Sequence, residues 1–170
     1  MEIRAATVGD LRAIEDIYLH YVATSACTYQ LEPDAFSART EWFSQHDAAH
    51  PITVAVDERR VLGWASLSVY KPRGGYARTV ESSVYVHHEH HRRGVGRALM
   101  LDLVARADAL DHHVIVAGID AEQEASIALH TSLGFVVAGR LREVGYKFGR
   151  LRDVLYLQRI RQDGALPRAS

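Results

Sequence analysis

Apolar residues recur at helical spacing from Leu11 through Ile14, Ile17, Tyr18 and Tyr21 to Val22, which predicts an amphipathic helix. Thr7-Val8-Gly9-Asp10 stands before it with the spacing of a capping box, Asp taking the place of the usual Glu or Gln, and Glu2–Ala5 reads as a short strand. A polar stretch around Glu32-Pro33-Asp34 leads to a second, weaker helix that carries Trp42 and Phe43. Alternation over Ile52–Val56 and Val61–Tyr70, across the charged turn Asp57-Glu58-Arg59-Arg60, predicts a hairpin. Lys71-Pro72-Arg73-Gly74-Gly75 interrupts the pattern as a loop, and Thr79–Val86 follows as a strand. A long helix from Gly94 to Leu110 is expected to bury Val95, Leu99, Leu103, Ala107 and Leu110. Val114–Ile119 is apolar throughout, as in a strand covered on both faces near the middle of a sheet. A short helix over 125–133 stops at Gly134, and strands Phe135–Lys147 and Leu151–Arg159 meet at a turn around Gly149. The layout is α+β, with seven strands and four helices in one domain over 1–161 and a frayed tail over 162–170.

A length of 170 residues suits one domain, and 48% hydrophobic with 24% charged residues excludes a disordered or collagen-like chain. A formal charge of −1 gives no reason to expect nucleic acid or an anionic membrane. The charge is uneven, with ten acids against three bases over 1–58 and eight bases against three acids over 134–170. That basic third lacks an aromatic-interleaved nucleic-acid motif and reads as strand surface. The single cysteine, Cys27, excludes an intramolecular disulfide and any multi-cysteine metal centre. No apolar run approaches the ~18 residues of a spanning helix, and Met-Glu-Ile-Arg lacks a signal pattern. A soluble, cytoplasmic protein is expected.

The chemistry concentrates in Val84-Tyr85-Val86-His87-His88-Glu89-His90-His91-Arg92-Arg93-Gly94-Val95-Gly96-Arg97. A strand there runs into a two-glycine turn that opens a helix. Unpaired amides at a helix start form an anion site, glycines admit a phosphate to the backbone, and Arg92, Arg93 and Arg97 add charge. The physical reading is a pyrophosphate cradle, set against a capped helix with a solvated basic end. It is neither a P-loop, which needs Gly-Lys-Ser/Thr, nor a dinucleotide fingerprint, since Leu99 occupies the third glycine position. A zinc site among the histidines is discounted, because position 92 is Arg where His-Glu-x-x-His needs His; no metal is expected. Cys27 has no base nearby in sequence, which argues against an acyl-cysteine route.

The Gly94-Val95-Gly96 turn, after a strand bearing Glu81, resembles the acyl-CoA loop of the GNAT N-acetyltransferases, Gln/Arg-x-x-Gly-x-Gly/Ala, with His91 at its first position. Ser126-Ile127-Ala128-Leu129-His130-Thr131-Ser132-Leu133-Gly134-Phe135 resembles the superfamily's second signature, with His130 where Tyr is usual and Gln123 where Asn is usual. A histidine there is typical of the phosphinothricin and methionine-derivative N-acetyltransferases. That pattern also matches Glu2-Ile3-Arg4, Ala6-Thr7, Tyr18 to Ser25, Thr79–Val86, Val116–Ile119 and Val144–Gly149, so the resemblance covers roughly 2–160.

The resemblance implies a GNAT fold, a mixed and mostly antiparallel sheet whose central strands splay around acetyl-CoA. It assigns Val84, Tyr85 and Val86 to pantetheine, Arg92, Arg93, Gly94, Val95, Gly96 and Arg97 to the pyrophosphate, and Gln123 and Ser126 to the remaining cofactor contacts. Glu81 is the candidate base, directly or through water, unless it is simply paired with Arg78. His130 either protonates the departing thiolate or makes a hydrogen bond inside its helix. The loop carrying Lys71, Arg73, Tyr76 and Arg78 is the candidate acceptor site, with Tyr29 beside it, unless it is a solvated basic loop. Lys147 is expected to reach a neighbouring subunit's pocket, the related enzymes being homodimers. The implied activity is acetyl transfer to the α-amino group of a small amino-acid analogue. A non-catalytic acyl-CoA-binding regulator and a protein N-terminal acetyltransferase are the alternatives.

Overall fold

The computed structural model describes residues 1–162, so all but the first residue of the expected tail lies outside them. Strands β1 (Glu2–Ala5), β2 (Ile52–Asp57), β3 (Arg60–Val69), β4 (Thr79–Val86), β5 (Val114–Asp120), β6 (Val136–Lys147) and β7 (Arg150–Ile160) form one sheet in the order β1-β2-β3-β4-β5-β7-β6. Only β4 and β5 run parallel; every other neighbouring pair is antiparallel. The helices are α1 (Leu11–Thr24), α2 (Phe36–Ser44), α3 (Val95–Ala109) and α4 (Glu124–Thr131). The mixed seven-stranded sheet with four helices agrees with expectation, and the strand bounds differ from it by at most one residue.

Periodicity explains the packing. Val95, Leu99, Leu103 and Ala107 of α3 are buried against Leu67, Val80, Ile115, Ala117 and Leu157 on one face of the sheet. Ile14 and Ile17 of α1 cover Ile52, Val54, Val61 and Trp64 on the other. Each Val, Leu or Ile among them contributes about 1.5–3 kcal/mol when fully buried. Leu110 departs from the expected pattern: α3 ends at Ala109, the chain turns, and Leu110 is 38% exposed, while Met100 is fully buried. At the start of α1 the Thr7 amide donates to the Asp10 carboxylate at 2.7 Å. Arg4 donates two more bonds to it at 2.7 and 2.8 Å. The shorter Asp therefore performs the capping-box role and ties β1 to the helix. No helix of the described residues is long and apolar enough to cross a membrane.

One irregularity positions the site. β4 and β5 pair only from Thr79↔Val114 to Glu81↔Val116 and then separate, while β3 stays paired with β4 as far as Val86. Backbone groups of Ser82–Val86 that face β5 are left without ladder partners, which buried backbone tolerates only where something else supplies the bonds.

Candidate active site

A cleft of about 480 Å³ runs along this separation. Its walls include Val84, Tyr85 and Val86 of β4, Arg92, Gly94, Val95, Gly96 and Arg97 at the start of α3, and Gln123 and Ser126 at the start of α4. Ten of the eleven residues assigned to the cofactor from sequence thus meet in one space. Arg93 does not line it; its guanidinium lies 3.4 Å from His90 Nδ1. The two glycines act differently. Gly94 adopts φ +81°, the left-handed region that favours glycine, and caps α3. Gly96 gives room, since a Cβ there would stand 3.3 Å from Val86 Cγ2 and 3.4 Å from Leu129 Cδ2. Together they bring the helix start, with its outward amides and positive dipole end, against the strand end.

The sequence reading missed Tyr21, Cys27 and His91, which also line the cleft. The Tyr21 hydroxyl donates to the Val86 carbonyl and lies 2.6 Å from His91 Nε2. His91, the departure from the Gln/Arg motif position, is thereby held by α1. Helical periodicity placed Tyr21 on the buried face but had no means of showing its 65-residue reach to Val86.

A smaller cavity of about 70 Å³ lies deeper in the splay, between Ser82–Tyr85 and Ala117–Asp120, closed by Cys27, Gln123, Ser126 and His130. Glu81 stands at its entrance in sequence, on the last β4–β5 pair. Its carboxylate lies 3.9 Å from the position a Gly118 Cβ would take, so the glycine leaves room for it. Arg78 does not pair with it: that guanidinium bonds the Asp111 carboxylate at 3.0 Å and the Asp111 carbonyl at 3.2 Å. Glu81 therefore has no salt bridge among the described residues, and burial pushes its pKa above the ordinary carboxylate range.

His130 is 3% exposed and its Nδ1 bonds the Ser126 carbonyl at 2.8 Å. A carbonyl only accepts, so Nδ1 carries a proton. Burial also lowers the imidazole pKa. The helix bond expected of His130 is present, and the same side chain lines the splay cavity. Burial likewise raises the Cys27 pKa, which keeps it a thiol rather than a nucleophilic thiolate.

The residues assigned to the acceptor do not gather here. None of Tyr29, Lys71, Arg73, Tyr76, Arg78 and Lys147 lines the cleft or the splay cavity. Lys71 Nζ lies 5.0 Å and 5.2 Å from the ring centroids of Tyr70 and Tyr76, and Arg73 is exposed. Tyr29 donates to Asp120 at 2.7 Å, with its ring packed on Gly145. Lys147 points inward, 2% exposed, and donates to the Thr28 carbonyl at 2.7 Å and the Tyr21 carbonyl at 3.4 Å. The Tyr21 carbonyl belongs to the last turn of α1, where the helix dipole favours a cation, and burial lowers the Lys147 pKa. His87, Glu89 and His90 bring ligand-type atoms within 4.8 Å of one another, closer than the sequence suggested. Arg59 and Arg60 line the cavity beside His87 and Glu89, and Arg93 adjoins His90; their charges oppose a dication there.

The family described as "Acetyltransferase (GNAT) family" matches residues 14–135. The chain belongs to this family. The L-methionine sulfoximine/L-methionine sulfone acetyltransferase of Salmonella typhimurium is 37% identical over 170 residues, covering 99% of each chain. The phosphinothricin N-acetyltransferase of Alcaligenes faecalis is 38% identical over 159 residues, 92% of this chain and 81% of that enzyme. The solved structure of yncA from Salmonella typhimurium "with its cofactor Acetyl-CoA" superposes with a TM-score of 0.95 at 37% identity, covering 100% of this chain and 99% of that one. The protein is a GNAT acetyltransferase, and this family uses acetyl-CoA.

Proposed function

We propose that this chain transfers the acetyl group of acetyl-CoA to the α-amino group of a small amino-acid-like acceptor of the methionine sulfone, methionine sulfoximine or phosphinothricin type, acting as a homodimer in the cytoplasm. The observation that carries the reading is Glu81, a carboxylate with raised pKa and no paired cation among the described residues, standing where β4 parts from β5. Pantetheine lies along Ser82–Val86 and satisfies the strand's free backbone groups, and the pyrophosphate rests on Gly94–Arg97 with Arg92 and Arg93 nearby. The acceptor's α-ammonium must lose a proton before nitrogen can attack, so a base within reach of the amine is needed. Glu81 takes the amine proton, directly or through water, as nitrogen attacks the thioester carbon. Backbone amides about Val84–Val86 hold the carbonyl oxygen as it gains charge. The C–S bond then breaks, its electron pair leaves on sulfur, and the thiolate takes up a proton. His130, Gln123 and Ser126 shape the sulfur's end of the site. Lys71, Arg73 and Tyr76 remain exposed before β4 as candidate contacts for the acceptor's acid groups. The route uses no metal, nucleic acid or membrane.

The homodimer reading is supported by the outer strands. β6 is a sheet edge, and Val136, Val137, Leu141, Val144, Tyr146, Phe148 and Leu151 are 47–60% exposed on and beside it. Such a long apolar edge is an association surface.

The test is thiol release from acetyl-CoA against methionine sulfone, methionine sulfoximine, phosphinothricin, methionine and a short peptide. Turnover of the oxygen-bearing amino acids supports the reading. Turnover of the peptide alone replaces it with a protein N-terminal acetyltransferase, and acetyl-CoA binding without any turnover replaces it with a regulator.

A further inference from the structure

Where β4 leaves β5, one of the freed carbonyls is taken by the protein itself. The His87 amide donates to the Leu62 carbonyl of β3 at 2.8 Å. A trans peptide points its C=O opposite to the N–H of the next residue, so the Val86 carbonyl faces away from β3, into the gap. The Tyr21 hydroxyl donates to that carbonyl from α1. Burial pushes the Tyr21 pKa up to about 12, so the hydroxyl keeps its proton at neutral pH. It has that one proton to donate, and a carbonyl only accepts. Toward His91 Nε2, 2.6 Å away, the Tyr21 oxygen therefore acts as acceptor, which places a hydrogen on Nε2. The two rings lie 19° from parallel with centroids 6.2 Å apart. Tyr21 thus ties the strand end to the connector, while His91 Nδ1 makes no hydrogen bond among the described residues. His91 is exposed in the wall of the 480 Å³ cleft, three residues before Gly94.

We propose that Tyr21 is a positioning residue for acetyl-CoA: it holds His91 by Nε2 so that Nδ1 serves the cofactor's diphosphate, and binding takes up a proton on this ring. A phosphate oxygen only accepts. Nε2 already carries the hydrogen that Tyr21 holds, so a bond from Nδ1 requires a second one, and the bound ring is an imidazolium. That proton comes from solvent and returns to it when the cofactor leaves. Imidazole suits the task, since its charge changes between about pH 5 and 8. Around His91 stand His20 of α1, the Cys27 thiol, His88, Glu89 and His90 of the connector, and Arg92, Arg93 and Arg97 at the helix start. Glu89 is the one carboxylate among them, so the cofactor brings the negative charge that balances a further cation there. An arginine at this motif position would stay charged at every working pH. Histidine instead makes cofactor affinity rise as pH falls. The inference rests on the reading that the diphosphate lies on Gly94–Arg97.

Titration calorimetry in buffers of different ionisation enthalpy counts the protons. The ligand is acetyl-dephospho-CoA, which keeps the diphosphate and lacks the 3′-phosphate, whose own titration at about pH 6 would obscure the count. Wild type should take up about half a proton or more per cofactor at pH 7, and its affinity should rise at pH 6. His91→Gln should bind about tenfold more weakly at pH 6, with no uptake. Tyr21→Phe leaves the ring free to turn its one N–H to the phosphate, so affinity should fall about fivefold and the uptake by at least half. The double variant should match His91→Gln within about twofold, because Tyr21 acts through His91. Acetyl-pantetheine has no diphosphate, and by competition it should bind all these proteins within about twofold of one another. A loss there equal to the loss for the dephospho cofactor would make Tyr21 a support of the fold and overturn the proposal. Wild type without proton uptake, or losses that add in the double variant, would overturn it as well. If Tyr21→Phe melts early, the wild-type count and His91→Gln still decide. Gly96→Val tells this inference from the reading beneath it. Unchanged affinity in that variant would sink the placement of the diphosphate. A tenfold loss there, beside wild-type behaviour in Tyr21→Phe and His91→Gln, would sink the role of Tyr21 alone.

Discussion

Glu81→Gln keeps the side chain's volume and removes only its capacity to accept a proton. Positioned general-base catalysis contributes about 10²–10⁴ in rate, equivalent to about 2.7–5.4 kcal/mol of activation free energy. The variant should lose kcat by that factor. KM for acetyl-CoA should hold, because Glu81 is not among the residues lining the 480 Å³ cleft. The wild-type rate should fall as pH drops through a group titrating above the ordinary carboxylate range, since burial raises the Glu81 pKa; this acid limb should vanish in the variant. Stability supplies the control. A carboxyl whose folded pKa is raised stabilises the fold fully below its unfolded pKa, and that contribution is lost as pH rises through the folded value. At neutral pH the ionised Glu81 therefore works against folding, and Glu81→Gln should melt no lower than wild type. Initial rates from pH 5 to 9 and a thermal melt at pH 7 suffice. Wild-type turnover in Glu81→Gln at neutral pH, or loss of activity that tracks a lowered Tm, refutes the reasoning.

Arg152→Met should cost about 3–5 kcal/mol in urea unfolding, because Asp120, with its side chain 1% exposed, loses bonds at 2.5 and 2.9 Å and stays buried with only the Tyr29 hydroxyl and the Glu122 amide and no cation. Burial alone would raise the Asp120 pKa, and the bonds from Arg152 and Tyr29 outweigh it, so the pair's contribution should disappear on acidification below the usual carboxylate range. The Arg4 bonds lower the Asp10 pKa to about 2, so its stabilisation is complete above its unfolded value and lost as pH falls through about 2; Asp10→Asn should flatten the acid limb of a stability-against-pH curve. Gly96→Val should weaken acetyl-CoA binding at least tenfold by calorimetry, since a Cβ already meets Val86 and Leu129 at 3.3 and 3.4 Å and the added methyls cannot be placed without moving the cradle. Val137→Lys with Leu141→Lys, both about half exposed on β6, should halve the mass measured by light scattering; an unchanged dimer would place its interface elsewhere.

Local chemistry made much of this protein legible before any coordinates. Period-two and period-3.6 patterns located the strands and helices, because burial of one face is written directly into residue order. The cradle was equally legible: Gly94 needs its left-handed φ and Gly96 its closeness to Val86, and both demands fall within a dozen residues of one another. Strand alternation alone also puts Glu81, Ser83 and Tyr85 on one face. Where a charged side chain goes is different, because it depends on partners distant in the chain. Arg78 turned to Asp111, 33 residues away, and left Glu81 free. Lys147 turned inward to the Thr28 carbonyl, 119 residues earlier, and to the Tyr21 carbonyl in the last turn of α1. Tyr29 went to Asp120, 91 residues away, and Arg39 to Glu15, 24 residues away. Long flexible charged side chains carry little directional information in sequence; only the register of the sheet and the packing of helices upon it decide which oppositely charged group or carbonyl comes within reach.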